Sequence, residues 1–113
     1  MVLRIATLFL LSISVFARPV KFEKKTLEFT YDKKKHLLFY GKGDPTKLFT
    51  NELKAKAKKL SNEMYGGMNP GAFYCRTVLE GEVVYGQMGK GTNSFCKYKG
   101  FILDNGMVGY YLR

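Results

Sequence analysis

Lysine side chains interleaved with aromatic rings form the clearest chemical pattern in the sequence. Three consecutive lysines, Lys33, Lys34 and Lys35, separate two apolar runs. Three further lysines, Lys54, Lys58 and Lys59, have helical spacing. Four aromatic residues lie near the two groups of lysines along the chain: Tyr31, Phe39, Tyr40 and Tyr65. Ammonium groups attract phosphates and aromatic rings stack on bases, so the pattern favours binding to single-stranded nucleic acid. The alternative is a basic surface over a core that uses the same rings.

The charge of the chain is concentrated in its first half. The 113 residues include 19 Lys+Arg and 9 Asp+Glu, a formal net charge of +10. Residues 18–59 hold 13 basic and 5 acidic residues, a net charge of +8, whereas residues 60–113 hold 5 and 4, a net charge of +1. This length excludes a multi-domain enzyme, and the charge indicates a polyanionic partner such as RNA or an acidic protein.

The other residues that could perform chemistry give weaker patterns. The glycine-rich stretch around Lys90 leads into a predicted strand, so a hairpin loop is expected there, with Lys90 as a minor anion contact. His36 is the only histidine and is predicted to be a partly exposed strand residue. Glu80 and Glu82 flank a turn glycine, which favours a solvated turn. One histidine and two distant cysteines do not have the spacing of a zinc site, so no metal or other cofactor is predicted.

The first 17 residues have the features of a secretory signal peptide. Arg4 precedes an apolar run of about twelve residues, which is too short to span a bilayer, since spanning takes about 20 residues. We therefore predict a signal peptide at 1–17 and one secreted domain at 18–113, with a charge of 18 − 9 = +9. Because exported proteins form disulfides, Cys75 and Cys96 are expected to pair.

Hydrophobic periodicity predicts an α+β fold in which one helix packs on an antiparallel sheet after an initial hairpin. The helix is expected to begin at Thr50 as N-cap, to bury a stripe of Leu53, Ala57, Leu60 and Met64, and to stop at Gly66-Gly67. Strands are predicted at residues 26–31, 36–40, 72–79, 83–87, 94–98, 101–103 and 107–112. Asn105-Gly106 is predicted to be the hairpin turn between the last two strands.

This order of elements resembles the guanyl-specific microbial ribonuclease fold and the ribonuclease-like secreted effectors of powdery mildew fungi. The resemblance lies in residues 73–79, 81–85, 89–95 and, most closely, 100–111, about 45 residues in all. It implies a small secreted effector that acts in virulence or host interaction.

The resemblance also implies that the catalytic groups of the enzymes are missing. Cys75 stands where they carry a glutamate base, Asn93 or a neighbour where they carry an arginine, and Asp104 where they carry a general-acid histidine. Transesterification of RNA needs a base, an acid and a cation for the phosphorane charge. A disulfide-bonded cysteine is no base, so the resemblance implies a non-catalytic relative.

The sequence therefore predicts a monomeric secreted protein that binds RNA, a ribonucleoprotein or another acidic host partner without catalysis, with possible delivery into a host cell. The residues expected to bind the partner are Lys33, Lys34, Lys35, Lys54, Lys58, Lys59 and Lys90. Two rivals remain open: an active secreted ribonuclease with an unrecognised catalytic set, and a cationic toxin that acts on anionic membranes.

Overall fold

The computed structural model describes residues 15–60 and 69–113, which form six strands, three α-helices and a short 3-10 helix. In chain order these are β1 (Val15–Phe22), β2 (Lys25–Asp32), β3 (Leu37–Tyr40), the 3-10 helix (Pro45–Leu48), α1 (Asn51–Leu60), α2 (Pro70–Thr77), β4 (Glu82–Met88), β5 (Gly91–Tyr98), β6 (Phe101–Asp104) and α3 (Asn105–Leu112).

The six strands close into an antiparallel barrel in the order β1-β2-β3-β6-β5-β4. Two three-stranded meanders, β1-β2-β3 and β4-β5-β6, meet along two seams. One seam pairs Phe39 of β3 with Leu103 of β6, and the other pairs Lys21 of β1 with Gln87 of β4. The predicted α+β fold with one helix on an open sheet is therefore wrong. The prediction did not include β1, the strand that pairs with both β2 and β4 and so closes the barrel.

Two of the predicted strands are helices, because the residues before them are helix caps. Residues 72–79 lie mostly in α2, where the side chain of Asn69 accepts hydrogen bonds from the backbone N–H groups of Gly71 and Ala72. Pro70 occupies the first turn of α2, a position where its missing N–H costs nothing. Residues 107–112 lie in α3, whose N-cap is Asp104. Asn105-Gly106 therefore opens a helix and is not a hairpin turn.

The predicted helix after Thr50 is confirmed as α1. The hydroxyl of Thr50 accepts a hydrogen bond from the N–H of Leu53 at 3.3 Å, which is the expected capping contact. Ala57 is fully buried, and Leu53 and Leu60 are half-buried on the same stripe. The remaining positions of that prediction, Met64 and Gly66-Gly67, lie outside the described residues, as does Tyr65.

Two apolar cores hold the fold together. The first lies inside the barrel and is formed by four buried side chains: Val20, Phe29, Leu38 and Phe95. The rings of Phe29 and Phe95 meet edge to face, with centroids 5.1 Å apart. The second core lies between the outer face of the barrel and the helices. Successive side chains of a strand point to opposite faces of the sheet, so Leu38 contributes to the core inside the barrel and Phe39 to the core beneath the helices.

The expected disulfide is present and joins the two layers. Cys75 of α2 is bonded to Cys96 of β5, with the Cα atoms 5.8 Å apart and both residues fully buried. Cys75 was expected on a strand and lies on a helix instead, so the bond fastens α2 to the barrel.

Candidate functional site

The turn between β2 and β3 holds three of the predicted binding lysines in a fixed conformation. We call residues 33–36 the lysine turn. The buried carboxylate of Asp32 accepts a hydrogen bond from the N–H of Lys35 at 3.3 Å, and the N–H of His36 donates to the carbonyl of Lys33. His36 takes a φ of 56°, in the left-handed region that non-glycine residues seldom adopt, so neighbouring contacts must hold it there.

Helix α3 supplies those contacts. The ring of His36 stacks on Tyr110, with centroids 3.9 Å apart and planes 19° from parallel. The hydroxyl of Tyr111 donates a hydrogen bond to the carbonyl of Lys35. Tyr111 itself stacks on Phe49, just before α1. The lysine turn is thus held in place by a hydrogen bond to Asp32 and by contacts with two tyrosines of α3.

A cleft of about 440 Å³, the turn cleft, lies between the lysine turn, the end of β6 and α3. Its lining combines aromatic, cationic and apolar side chains: Tyr31, Lys33, His36, Leu37, Leu38, Asp104, Gly106, Met107, Tyr110 and Arg113. Two guanidinium groups contact aromatic rings of this lining. The guanidinium of Arg18 lies 4.9 Å from the ring centre of Tyr31, and that of Arg113 lies 5.9 Å from that of Tyr110.

The carboxylate in the turn cleft is Asp104, and it is engaged in capping α3. Its Oδ2 accepts a hydrogen bond from the N–H of Met107 at 3.3 Å. Burial raises the pKa of Asp104 above its ordinary value, while hydrogen bonds from the backbone of Met107 and Gly106 oppose that rise. The side chain therefore retains a proton more readily than an exposed aspartate, although the negative form is the better helix cap.

The other predicted binding lysines lie on separate elements. Lys54, Lys58 and Lys59 are exposed on α1, and Lys90 is exposed in the turn between β4 and β5. The glycine-rich stretch around Lys90 is a hairpin, as the sequence predicts. Of the seven predicted lysines, only Lys33 lines the turn cleft, while Lys34 and Lys35 follow it in the lysine turn.

Several residues of the turn cleft were not identified from the sequence. His36 was assigned to a strand but lies in the lysine turn, one residue before β3. Tyr110 and Arg113 were overlooked because residues 107–112 were taken for a strand. Their signal was Asp104 followed by Asn105-Gly106, since aspartate is a favoured N-cap, and a helix starting there carries Tyr110 back to the lysine turn.

The positions compared with the ribonuclease catalytic set occupy three different contexts. Cys75 is on α2 and is bonded to Cys96, Asn93 is on β5, and Asp104 is the N-cap of α3. The strand that was expected to carry the base is a helix, so this part of the comparison does not describe the fold observed.

Two searches of the described residues were negative. Residues 15–60 and 69–113 contain no group of three or more His, Cys, Asp or Glu side chains placed to hold a metal ion. Within the same ranges no helix has the length and apolarity needed to cross a membrane.

No protein-family model, curated protein or solved structure is significantly similar to this chain. The functional argument therefore depends on the geometry of the turn cleft.

Proposed function

We propose that the protein binds single-stranded RNA in the turn cleft without cleaving it. The observation that carries the proposal is the stacked pair of His36 and Tyr110 beside three lysines in a fastened turn. Aromatic platforms that stack bases, together with cations that follow the phosphates, are the recurring means of binding single strands.

The arrangement of charge supports a phosphate ligand. Lys33 and Arg113 both line the turn cleft, and Lys34 and Lys35 follow Lys33 in the exposed lysine turn. Three carboxylates lie nearby and each accepts a backbone hydrogen bond: Asp32 is buried, Asp104 caps α3, and the exposed Asp44 binds Thr46. The four cations, Lys33, Lys34, Lys35 and Arg113, outnumber these carboxylates, so the local charge favours an anionic ligand.

The lysine turn is already ordered in the free protein, so binding RNA need not pay the entropic cost of ordering it. A free loop would have to be ordered when RNA binds, at a cost of side-chain and backbone freedom. Here Asp32 and Tyr111 already bind the backbone of Lys35, and Tyr110 stacks on the ring of His36.

Chemistry supports a role without catalysis. The thiol at Cys75 is consumed by the disulfide and cannot act as a base. Asp104 accepts a hydrogen bond from the N–H of Met107 as the N-cap of α3, so a structural role already accounts for this carboxyl. Secretion and an effector role remain predictions from residues 1–17 and the family resemblance.

The test is binding of the purified, oxidised protein to a labelled single-stranded RNA across a salt series, with the RNA examined for cleavage in the same samples. Replacing Lys33, Lys34 and Lys35 with glutamine is expected to weaken binding and to reduce the slope of log affinity against log salt by about 2, since each neutralised phosphate contributes about 0.7. Tyr110→Ala is expected to weaken binding with little change in that slope, because it removes stacking and not charge.

A matched control removes the same charge from the opposite end of the barrel. Lys24, Lys42 and Lys99 lie in connections at that end and are exposed. Their triple glutamine variant should keep most of the affinity and the slope. If both triple variants lose affinity equally, the attraction is diffuse and the turn cleft is not the site. Cleavage of the RNA would contradict the non-catalytic assignment, and equally tight binding to anionic vesicles would favour the membrane alternative.

A further inference from the structure

The barrel has a second opening, at the end opposite the lysine turn, which we call the barrel mouth. It encloses a cavity of about 640 Å³. Its apolar lining comes from Phe22, Leu27, Val84 and Ile102, with Tyr40 at the edge. A volume of this size is typical of sites for small molecules, which occur commonly in the mouths of β-barrels.

Strand alternation shows that this cavity continues the barrel interior. Phe22 lies two residues from buried Val20, and Leu27 lies two residues from buried Phe29. Side chains two apart on a strand share a face. The cavity therefore lies at the end of the inner core, where the partly buried side chains of Phe22, Leu27, Val84 and Ile102 pack against that core.

Gly86 keeps space between the strands at this seam of the barrel. A Cβ atom at Gly86 would lie 2.7 Å from a ring carbon of Phe22 and 2.7 Å from a methyl group of Val20. The absence of a side chain there lets Phe22 turn inward against the edge of Phe95, at a centroid distance of 5.4 Å.

A lysine occupies one of the inward-facing positions of the barrel mouth. Lys97 lies two residues beyond fully buried Phe95 on β5, so its stem starts on the inner face, yet the residue is exposed. Lys25 lines the opposite rim, and Glu23 is the one carboxylate among the lining residues. Glu82 pairs with Lys97 in the strand register and is also exposed. A long lysine can keep its stem against apolar surface while its ammonium stays at the rim.

We propose that the barrel mouth binds a small carboxylate with an apolar body, such as a medium-chain fatty acid. The apolar part enters the cavity among Phe22, Leu27 and Ile102, and the carboxylate pairs with Lys97 at the rim. Two lysines and one glutamate line the opening of an otherwise apolar cavity, which favours an anionic head group; that head group competes with Glu82, the strand partner of Lys97, for the ammonium.

The test compares three ten-carbon probes that differ in the charge of the head group: decanoate, decanol and decyltrimethylammonium, each below its aggregation threshold. Calorimetry gives the affinities, and NMR of the methyl groups gives the location. Decanoate is expected to bind most tightly and to shift the methyl signals of Leu27, Val84 and Ile102. Lys97→Gln is expected to weaken decanoate about fivefold, the range of an ion pair that is open to water, and to leave decanol unchanged.

Lys56→Gln is the matched control, because it removes one exposed lysine from α1. It should leave all three affinities unchanged. Val84→Phe narrows the cavity and should weaken decanoate and decanol together, provided that its thermal unfolding remains cooperative. Equal binding of decanoate and decanol, a Lys97→Gln variant with full affinity for decanoate, or shifts confined to the turn cleft would each overturn the proposal. The RNA-binding proposal is unaffected by any of these results, since its residues lie at the other end.

Discussion

At the residue scale, Asp104 combines two roles that oppose each other electrically. As a helix cap it gains from negative charge, because it accepts the N–H of Met107 at the positive end of α3. As a partly buried group it gains from being neutral, and the net effect raises its pKa above the ordinary 3.8. The same side chain lines the turn cleft, so its protonation also sets the local charge that an anionic ligand meets.

We expect Asp104 to make the protein less stable as the pH rises. The pKa of Asp104 is higher in the folded state than in the unfolded state, so the folded protein binds this proton more tightly. The stabilisation that protonation provides is therefore lost as the pH rises from 3.8 through the raised pKa. Asp104→Asn keeps the cap and cannot ionise. Urea unfolding across pH measures the free energy of unfolding of both proteins. Above pH 3.8 the wild type should lose stability relative to Asp104→Asn.

Asp44 provides a control of the opposite sign. The hydroxyl and backbone N–H of Thr46 donate to its carboxylate and lower its pKa. The stabilisation by the ionised carboxylate of Asp44 is therefore present above pH 3.8 and is lost as the pH falls through the lowered pKa. Because Asp44 is exposed, the stability difference between wild type and Asp44→Asn should depend only weakly on pH. A pH-independent difference for Asp104→Asn would contradict the assignment of burial as the cause.

At the element scale, the fold depends on how closely α2 approaches α3. Gly71 lies in the first turn of α2, and a Cβ atom at that position would lie 1.7 Å from the carbonyl oxygen of Asn105. The two helices can therefore touch only because residue 71 has no side chain. This contact places α3, and with it Tyr110 and Arg113, against the rest of the molecule.

Gly71→Ala is expected to destabilise the protein by about 3 kcal/mol, the upper range for overpacking, because the backbones of two helices must separate. The sign is diagnostic, since glycine to alanine within a helix ordinarily stabilises by up to about 1 kcal/mol. Chemical denaturation measures the change. Gly91→Ala is the matched control, because the nearest atom to its Cβ would be 4.0 Å away. Equal stability of the Gly71 variant and the wild type would contradict the close packing of α2 and α3.

At the scale of the whole molecule, the disulfide fastens the helical layer to the barrel. The bond joins residues 21 apart in the sequence, and both ends are fully buried. Gly81 allows the chain to pass beside it, since a Cβ there would lie 2.8 Å from the sulfur of Cys96. The bond therefore restrains α2, the following connection and β5 together.

Replacing both cysteines with alanine is expected to lower the free energy of unfolding by about 3 kcal/mol, the chain-entropy value for a loop of this length. Urea unfolding of the oxidised wild type, the reduced wild type and the double variant measures the effect. The reduced protein and the double variant should have similar free energies of unfolding, differing only by the packing that the sulfur atoms provide. A double variant as stable as the oxidised protein would show that the helices pack on the barrel without the restraint.

Local signals in the sequence were sufficient for much of the secondary structure. The alternation of residues 26–31 predicted β2, and Thr50 with the apolar stripe behind it predicted α1, because both signals depend only on neighbours along the chain. The same reasoning failed at α2 and α3. Short, mainly apolar segments fit a strand or a helix equally well, and what decides for a helix is the cap before each segment, at Asn69 and at Asp104.

The sequence by itself determined the basic charge of the first half, the pairing of its two cysteines and most of the strands, since composition and short-range patterns carry that information. Only the tertiary structure decided that the strands close into a barrel and that α3 returns to the lysine turn. These depend on contacts such as Lys21 with Gln87 and His36 with Tyr110, which join residues far apart in the chain. No local pattern specifies such contacts, because their energy appears only when the whole chain has packed.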